Sequence, residues 1–513
     1  LLLIGINLIL SSVFSQEKSS QKDWYLSDYE HDSIIGISYQ KAQPLIQGKN
    51  KKKIKVAIID AGFDTEHPAL KNYIWTNAKE IPNNNIDDDK NGYIDDMYGW
   101  NFLGNEKINI LYANGDITRI LRHYSKKFDG KVPNDSLSNN EYQAYLRFNE
   151  KYNTELKECL NDLEKNKQLY SAFLKADSIV KSFLKKQDYS ISDVLTIEST
   201  DTEVIKSKNN IIALNSIGYS SEKLKYLGNY YTNRINYRFN LNSDERDKIG
   251  DDTKNFKDKF YGNNRLFERE FSEAYSHGTQ VASIITSIVQ DTSMVELMLI
   301  RGSTGLGGGL DKDLANSIIY AIDNGAKIIN ISLAGMYTDD KKALNFALEY
   351  AQKRKVLIIN AAGNDAVNTD SIPYYPTPFY GKYNSKLNPY WIEVGASGKD
   401  LKTLVATFSN YGKKTVDIFA PGVDMEVAIP NNKYGMSSGT SLAAPVVTGI
   451  ATIIWSLHPN LSALDIKNVI LESGLNFGST KIPQSDKEVL FGNLSVSGRV
   501  VNLFYALNLL SKK

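Results

Sequence analysis

The chain predicts an α/β fold of three layers, in which a mainly parallel sheet is covered by helices on both faces. Short β-branched runs recur at 54–59, 295–300, 327–331, 356–359, 392–396 and 416–419, each nearly continuous in apolar residues. Strands buried on both faces read this way, whereas half-exposed strands alternate. Between several of the runs lie helix-length segments with apolar spacing of three and four, such as Leu314, Ile318, Ala321 and Ile322; alternation of the two element types implies parallel connections. Size is the third observation: 513 residues, 42% hydrophobic and 23% charged, can bury one large core and still carry a substantial addition.

Taken in order, residues 1–10 (LLLIGINLIL) form an apolar run followed by the small or polar stretch SSVFS and then charges. That is how a signal peptide reads, with cleavage after Ser15, so the protein is expected to be exported to the periplasm or the extracellular space. Residues 16–50 read as an N-terminal extension packed on the main domain, which occupies 51–102 and 273–513. Residues 103–272 interrupt it with a composition rich in Lys, Asn, Asp and Tyr. There Tyr145, Phe148, Tyr152, Leu156, Leu160 and Leu163, then Leu169, Phe173, Ala176 and Val180, recur at helical steps, so a largely helical insertion is expected. A surface decoration with a solvated charged face is the plainer reading of it, and a lid over a substrate cleft the alternative.

Lys+Arg (60) and Asp+Glu (59) leave a formal charge of +1, so no whole-molecule field favours nucleic acid or an anionic membrane. Beyond the first residues no stretch reaches the roughly 18 apolar residues of a membrane span. The single cysteine, Cys159, precludes an internal disulfide and reads as a small buried hydrophobe. The other histidines, His31, His67, His123 and His458, lack metal-ligand spacing. No organic cofactor is expected, and no motif bears on the oligomeric state.

Four segments carry chemistry. In VAIIDAGFDTEHP a strand ends at Asp60, the carboxyl end where open α/β sheets place function, although Asp before Gly also serves as a turn residue, and Asp64 reads as one. In YSHGTQVAS, His277 stands at the mouth of a helix with Val281, Ile284, Ile285 and Ile288 on its apolar face, able to engage a nucleophile and a carboxylate or merely to cap. In SSGTSLAAPVV, Ser441 opens an apolar helix whose positive end suits attack on a carbonyl, though Ser is also a common N-cap. In VLIINAAGND a strand delivers Asn364, an amide that can donate to an oxyanion or simply make a turn.

Together, and in the order Asp, His, Ser, these segments resemble the subtilisin-like serine protease family. INISLAG at 329–335 and TFSNYGKKTVDIFAPG at 407–422 add to the resemblance, which covers roughly 50–102 and 273–475. It implies the subtilisin-like three-layer fold and hydrolysis of protein or peptide substrates by an endopeptidase. By the same resemblance Ser441 is the nucleophile, His277 the general base, Asp60 its orienting carboxylate and Asn364 the oxyanion donor. Gly307, Gly308 and Gly309 match the family's substrate-binding edge strand, and Ser332, Leu333, Ala334 and Gly335 the strand across the cleft. Ala361 and Gly363 match the lining of its primary specificity pocket.

IDDDKNGYIDD sets Asp87, Asp89 and Asn91 at alternate positions before Gly92, with Tyr93 directly after it. This is the opening half of an EF-hand-like Ca²⁺ loop. Tyr98 stands where the closing Glu belongs, so Asp95 or Asp96 is expected to complete the site. The chain departs from simple subtilisins in the long insertion between Asp60 and His277, and residues 16–50 are few for a propeptide of domain size. An inactivated binding scaffold is disfavoured because all four site residues are present. Within enzymes, an exopeptidase or a processing protease with narrow specificity is the main competitor, because the insertion can close one end of the cleft.

Overall fold

All six predicted runs become strands of one nine-stranded sheet in the computed structural model, which describes residues 22–512 except 129, 137, 138, 307, 382, 383, 485 and 486. The signal-peptide segment and Gly307 therefore lie outside the described residues. The strands are β1 (Ile54–Asp60), β2 (Gly99–Asn101), β3 (Val295–Arg301), β4 (Ile328–Ile331), β5 (Leu357–Ala361), β6 (Trp391–Ser397), β7 (Ile418–Pro421), β8 (Leu475–Asn476) and β9 (Arg499–Val500). Their order is β8-β9-β7-β6-β5-β4-β1-β3-β2, parallel throughout except for β8 against β9.

Successive side chains of a strand face opposite layers, and both layers here are dry. Val56 and Ile58 of β1 join one core with Val281, Ile285 and Ile288 of the helix Ser276–Val289 and with Ile450 and Ile454 of the helix Thr440–Leu457. Ala57 and Ile59 join the other with Leu314, Ile318 and Ile322 of the helix Asp311–Asp323 and with the helix Lys341–Arg354. Hence the strands lack alternation: there is no wet face to encode.

The helix Thr440–Leu457 corrects one sequence expectation. Its 18 residues are apolar enough to cross a membrane by length and composition, yet 89% of the segment is buried inside the fold as the central core helix. Residues 22–50 also pack on the core. Trp24, Tyr25, Ile37 and Tyr39 are buried in it, Tyr25 Oη donates to Ser287 Oγ at 2.9 Å, and Leu503 N donates to Ile37 O at 3.0 Å.

The insertion centres on a single 45-residue helix, Asn140–Leu184. Its buried positions Tyr152, Cys159, Asn166, Phe173 and Val180 recur every seven residues, a period that keeps one seam against neighbouring helices. Leu160 and Leu169, predicted on the apolar stripe, turn outward instead. The helices Thr202–Ser216 and Ser221–Asn233 cover its C-terminal half through Val204, Ile211, Leu214 and Leu224.

Buried charge helps to fasten the insertion to the sheet layers. Arg246 donates to Asp313 at 2.9 and 2.7 Å and to Asp251 at 2.5 and 3.0 Å; Lys312 reaches Asp251 at 2.5 Å. Burial alone would raise the Asp251 carboxyl, but the two cations outweigh it and hold it below the usual carboxylate range. Removing one partner would strand an uncompensated buried charge, at a cost of about 3–5 kcal/mol.

Candidate active site

β1 ends at Asp60, fully buried, with Oδ1 accepting from its neighbour Ala61 N at 2.7 Å and from His277 Nδ1 at 2.7 Å. Two glycines permit this approach. Gly62 turns the chain away from the strand with φ +125°, and a Cβ there would lie 2.2 Å from the Tyr275 ring; a Cβ on Gly278 would lie 2.3 Å from Gly62 O. The turn after β1 and the start of the His277 helix therefore interlock at backbone distance. Thr279 Oγ1 donates to Tyr275 O at 3.0 Å and accepts from Asp64 N at 2.9 Å. Asp64 in turn accepts from Glu66 N and Asn431 N, which makes it the structural carboxylate expected from sequence.

The His277 side chain keeps 36% of its surface open to the cleft. Burial disfavours the charged ring, but the charge and hydrogen bond of Asp60 outweigh it, and the imidazole pKa is held above its ordinary value. Because Nδ1 is engaged, Nε2 is the nitrogen left to face the cleft.

Ser441 lies in the first turn of its helix, and Asn364 follows β5. Asn364 Oδ1 accepts from both Thr440 N and Thr440 Oγ1 at 2.9 Å, while Thr440 Oγ1 accepts from Gly363 N at 3.1 Å. With Oδ1 committed, the amide nitrogen is the free end. A Cβ built on Gly439 would sit 2.9 Å from Ser441 Oγ and 3.7 Å from Asn364 Nδ2, so hydroxyl and amide flank one small space. A buried relay fixes the helix against β4: Thr448 Oγ1 donates to Asn330 Oδ1 at 2.8 Å, Asn330 Nδ2 to Ser332 Oγ at 3.0 Å, and Ser332 Oγ to Ser441 O at 2.9 Å. Sequence reasoning missed Thr440, Thr448 and Asn330. For Thr448 and Asn330 the signal was a polar residue within an otherwise apolar run, whereas Thr440, in SSGTS, carried none.

His277, Ser441 and Asn364 line one cleft of about 560 Å³, together with Gly308, Gly309, Ser332, Leu333, Ala334, Gly335, Ala361 and Gly363. Several main-chain groups on its rims are already engaged. Gly308 O accepts from Thr304 N at 3.2 Å, Gly309 O from Arg119 Nη2 at 3.0 Å, and Gly335 exchanges hydrogen bonds of 2.9 and 2.7 Å with Tyr375. The insertion supplies the remaining wall, including Asp116, Ile117, Lys151, Glu155, Arg234 and Arg238. It touches both rims: Arg119 holds Gly309, and Asp116 Oδ2 lies 3.0 Å from where a Cβ on Gly335 would stand. The plain reading of the insertion as a decoration is thereby corrected, through contacts that carry no motif.

The acidic loop gathers differently from its linear pattern. Asp87 and Asp89 come together with Glu80, their carboxylate oxygens within 4.8 Å of one another. Asp95 turns to Asn84 N and Asn85 N, and Asp96 to Asn77 Nδ2, Asn91 Nδ2 and Tyr320 Oη, its pKa pushed up to about 6 by burial. Tyr93 buries its ring against Trp100 and Tyr320, so only its carbonyl could serve as a ligand. Asp95 and Asp96 are thus engaged elsewhere, and the carboxylate that meets Asp87 and Asp89 is Glu80, from the preceding turn.

A model of the "Subtilase family" matches residues 51–490. The chain is 35% identical over 193 residues to "Thermophilic serine proteinase" of Bacillus sp. (strain AK1), a match covering 36% of this chain and 44% of that protein. It is 30% identical over 216 residues to "Subtilisin DY" of Bacillus licheniformis, covering 41% and 74%. Among solved structures, a prenylagaramide maturation protease, PagA, superposes with a TM-score of 0.37 at 27% identity, covering 46% of this chain and 83% of that one. The chain thus spans less than half the length of the first of these relatives.

Replacing Asp60 by Asn removes the charge that sustains the His277 cation and leaves only burial. The expected outcome is a fall of the His277 pKa from above to below its ordinary value, read from the imidazole C–H resonances in an NMR pH titration. An unchanged value would break the link between the two residues.

Proposed function

The chain belongs to the subtilase family, and we propose on that premise that it is an exported serine endopeptidase cleaving proteins or peptides. The observation that carries the reading is the 2.7 Å contact of His277 Nδ1 with Asp60, on a cleft shared with Ser441 and Asn364. Ser441 Oγ attacks the scissile carbonyl carbon as His277 Nε2 takes its proton, and Asp60 stabilises the resulting imidazolium. Asn364 Nδ2 and Ser441 N–H receive the oxyanion. Collapse of the tetrahedral intermediate breaks the C–N bond, His277 protonates the leaving amine, and water, activated by the same imidazole, releases the acyl group. Loss of an oxyanion donor costs about 2.7–4 kcal/mol in subtilisin.

A second reading, removal of short pieces from one end of the substrate, is favoured by the insertion's contacts with both rims of the cleft. The test for both is digestion of casein and of a long unstructured peptide by the wild type and Ser441→Ala, with a fluorophosphonate label. Cleavage and labelling should vanish in the variant; a folded wild type that neither cleaves nor labels would sink the peptidase reading. Internal cuts in the peptide indicate the endopeptidase, and stepwise shortening from one end the alternative.

Export rests on the apolar run 1–10 and the small residues that follow it. N-terminal sequencing of protein recovered outside the cytoplasm should begin near Gln16, and recovery only inside the cell would refute it.

Asp87, Asp89 and Glu80 offer hard oxygen donors in one place, and we assign them to a Ca²⁺ ion that would fix the loop before β2. Calorimetric titration with Ca²⁺ should show binding and a raised melting temperature, both weakened in Glu80→Gln. A silent titration with no thermal shift removes the site.

A further inference from the structure

The insertion's wall of the cleft carries more positive charge than its own carboxylates neutralise. Among the charged side chains on that wall and the adjoining rims, each carboxylate already has a partner. Asp116 Oδ1 accepts from Arg119 Nη2 at 2.5 Å, Glu155 faces Lys151 at 3.7 Å, and Asp365 Oδ2 accepts from Tyr374 Oη at 2.7 Å. Asp311 accepts from Thr338 Oγ1 and, at 2.8 Å, from Asp340 N, and burial, with Asp339 beside it, raises its pKa.

Arg234 and Arg238 differ. Among the described residues, neither has a carboxylate within salt-bridge distance. Both lie in the single wide turn Arg234–Arg238 and line the cleft that holds His277 and Ser441. Their placement is built. Arg238 O accepts from Gly115 N at 3.0 Å and from Thr118 Oγ1 at 2.7 Å, while Arg238 Nη1 donates to Leu306 O at 3.1 Å. The Arg234 guanidinium rests over Tyr230 and Phe239, 5.6 and 5.4 Å from their centroids, and its Nε is buried without a partner among the described residues. A guanidinium held by ring faces keeps its planar fork for a bidentate acceptor.

We propose that Arg234 and Arg238 recognise an acidic side chain of the substrate close to the scissile bond, so that the insertion sets specificity for Asp- or Glu-containing peptides. The substrate class deepens the peptidase reading and rests on it. The recognition itself rests only on the cleft.

The test uses quenched peptides that differ only by Glu, Gln or Lys at successive positions on either side of one cleavable bond. kcat/KM is measured with the wild type, and binding by fluorescence anisotropy with Ser441→Ala. At one or more positions Glu should exceed Lys by about tenfold, the order expected when a partly desolvated ion pair replaces a like-charge contact. Arg234→Gln should flatten the ratio and Arg234→Glu invert it, whereas a merely structural arginine would lower kcat/KM for all peptides alike. Equal turnover and equal binding of the Glu and Lys sets by the wild-type site would overturn the inference. A Glu preference in binding without cleavage would instead sink the peptidase reading and leave this one standing.

Discussion

A hydrogen bond of 2.7 Å joins Asp60 and His277 across 217 positions of sequence, and the architecture around it serves to make that distance hold. The Asp60 carboxylate can be buried because β1 runs between β3 and β4, in register from Ile54 against Val295 to Asp60 against Arg301. Parallel registry brings the carboxyl ends of these strands to one edge, where the helices bearing His277 and Ser441 also begin. Two buried glycine contacts close the remaining gap. The paired imidazole is stabilised as a cation at the spot where the proposed mechanism needs one.

Around this edge the polar groups form short relays rather than isolated contacts. Thr448, Asn330 and Ser332 tie the Ser441 helix to β4, and Thr440 fixes which end of the Asn364 amide is free. Buried polar groups of this kind are costly unless every member is satisfied. Their satisfaction here holds the hydroxyl and the amide beside one small space, as the proposed oxyanion site requires.

The insertion is bound to that arrangement by different physics. Arg246, Lys312, Asp251 and Asp313 lock it to the helix Asp311–Asp323 through buried ion pairs, while Arg119 and Arg238 reach the rim carbonyls of Gly309 and Leu306. Its length interrupts the family pattern without disturbing the sheet, since it leaves after β2 and returns just before the His277 helix, within the one connection from β2 to β3. The result is a wall along the cleft that holds His277 and Ser441.

The sequence by itself determined six of the nine sheet strands and the helices that cover them, and it singled out the four candidate site residues. Apolar runs of strand length need both faces buried, and the motifs around Asp60, His277, Asn364 and Ser441 are local, each contained within a single turn between elements. The periodicity of the insertion announced a long helix but misplaced Leu160 and Leu169, because which stripe is buried depends on the neighbours that cover it. Glu80 escaped the acidic motif because Asp87 and Asp89 lie on a different turn, and Arg234 and Arg238 escaped every motif because only packing places them on the wall of the cleft. Chemistry carried by contiguous residues is legible in the chain, whereas groups assembled from distant segments acquire meaning only when tertiary packing brings them within a few ångströms of one another.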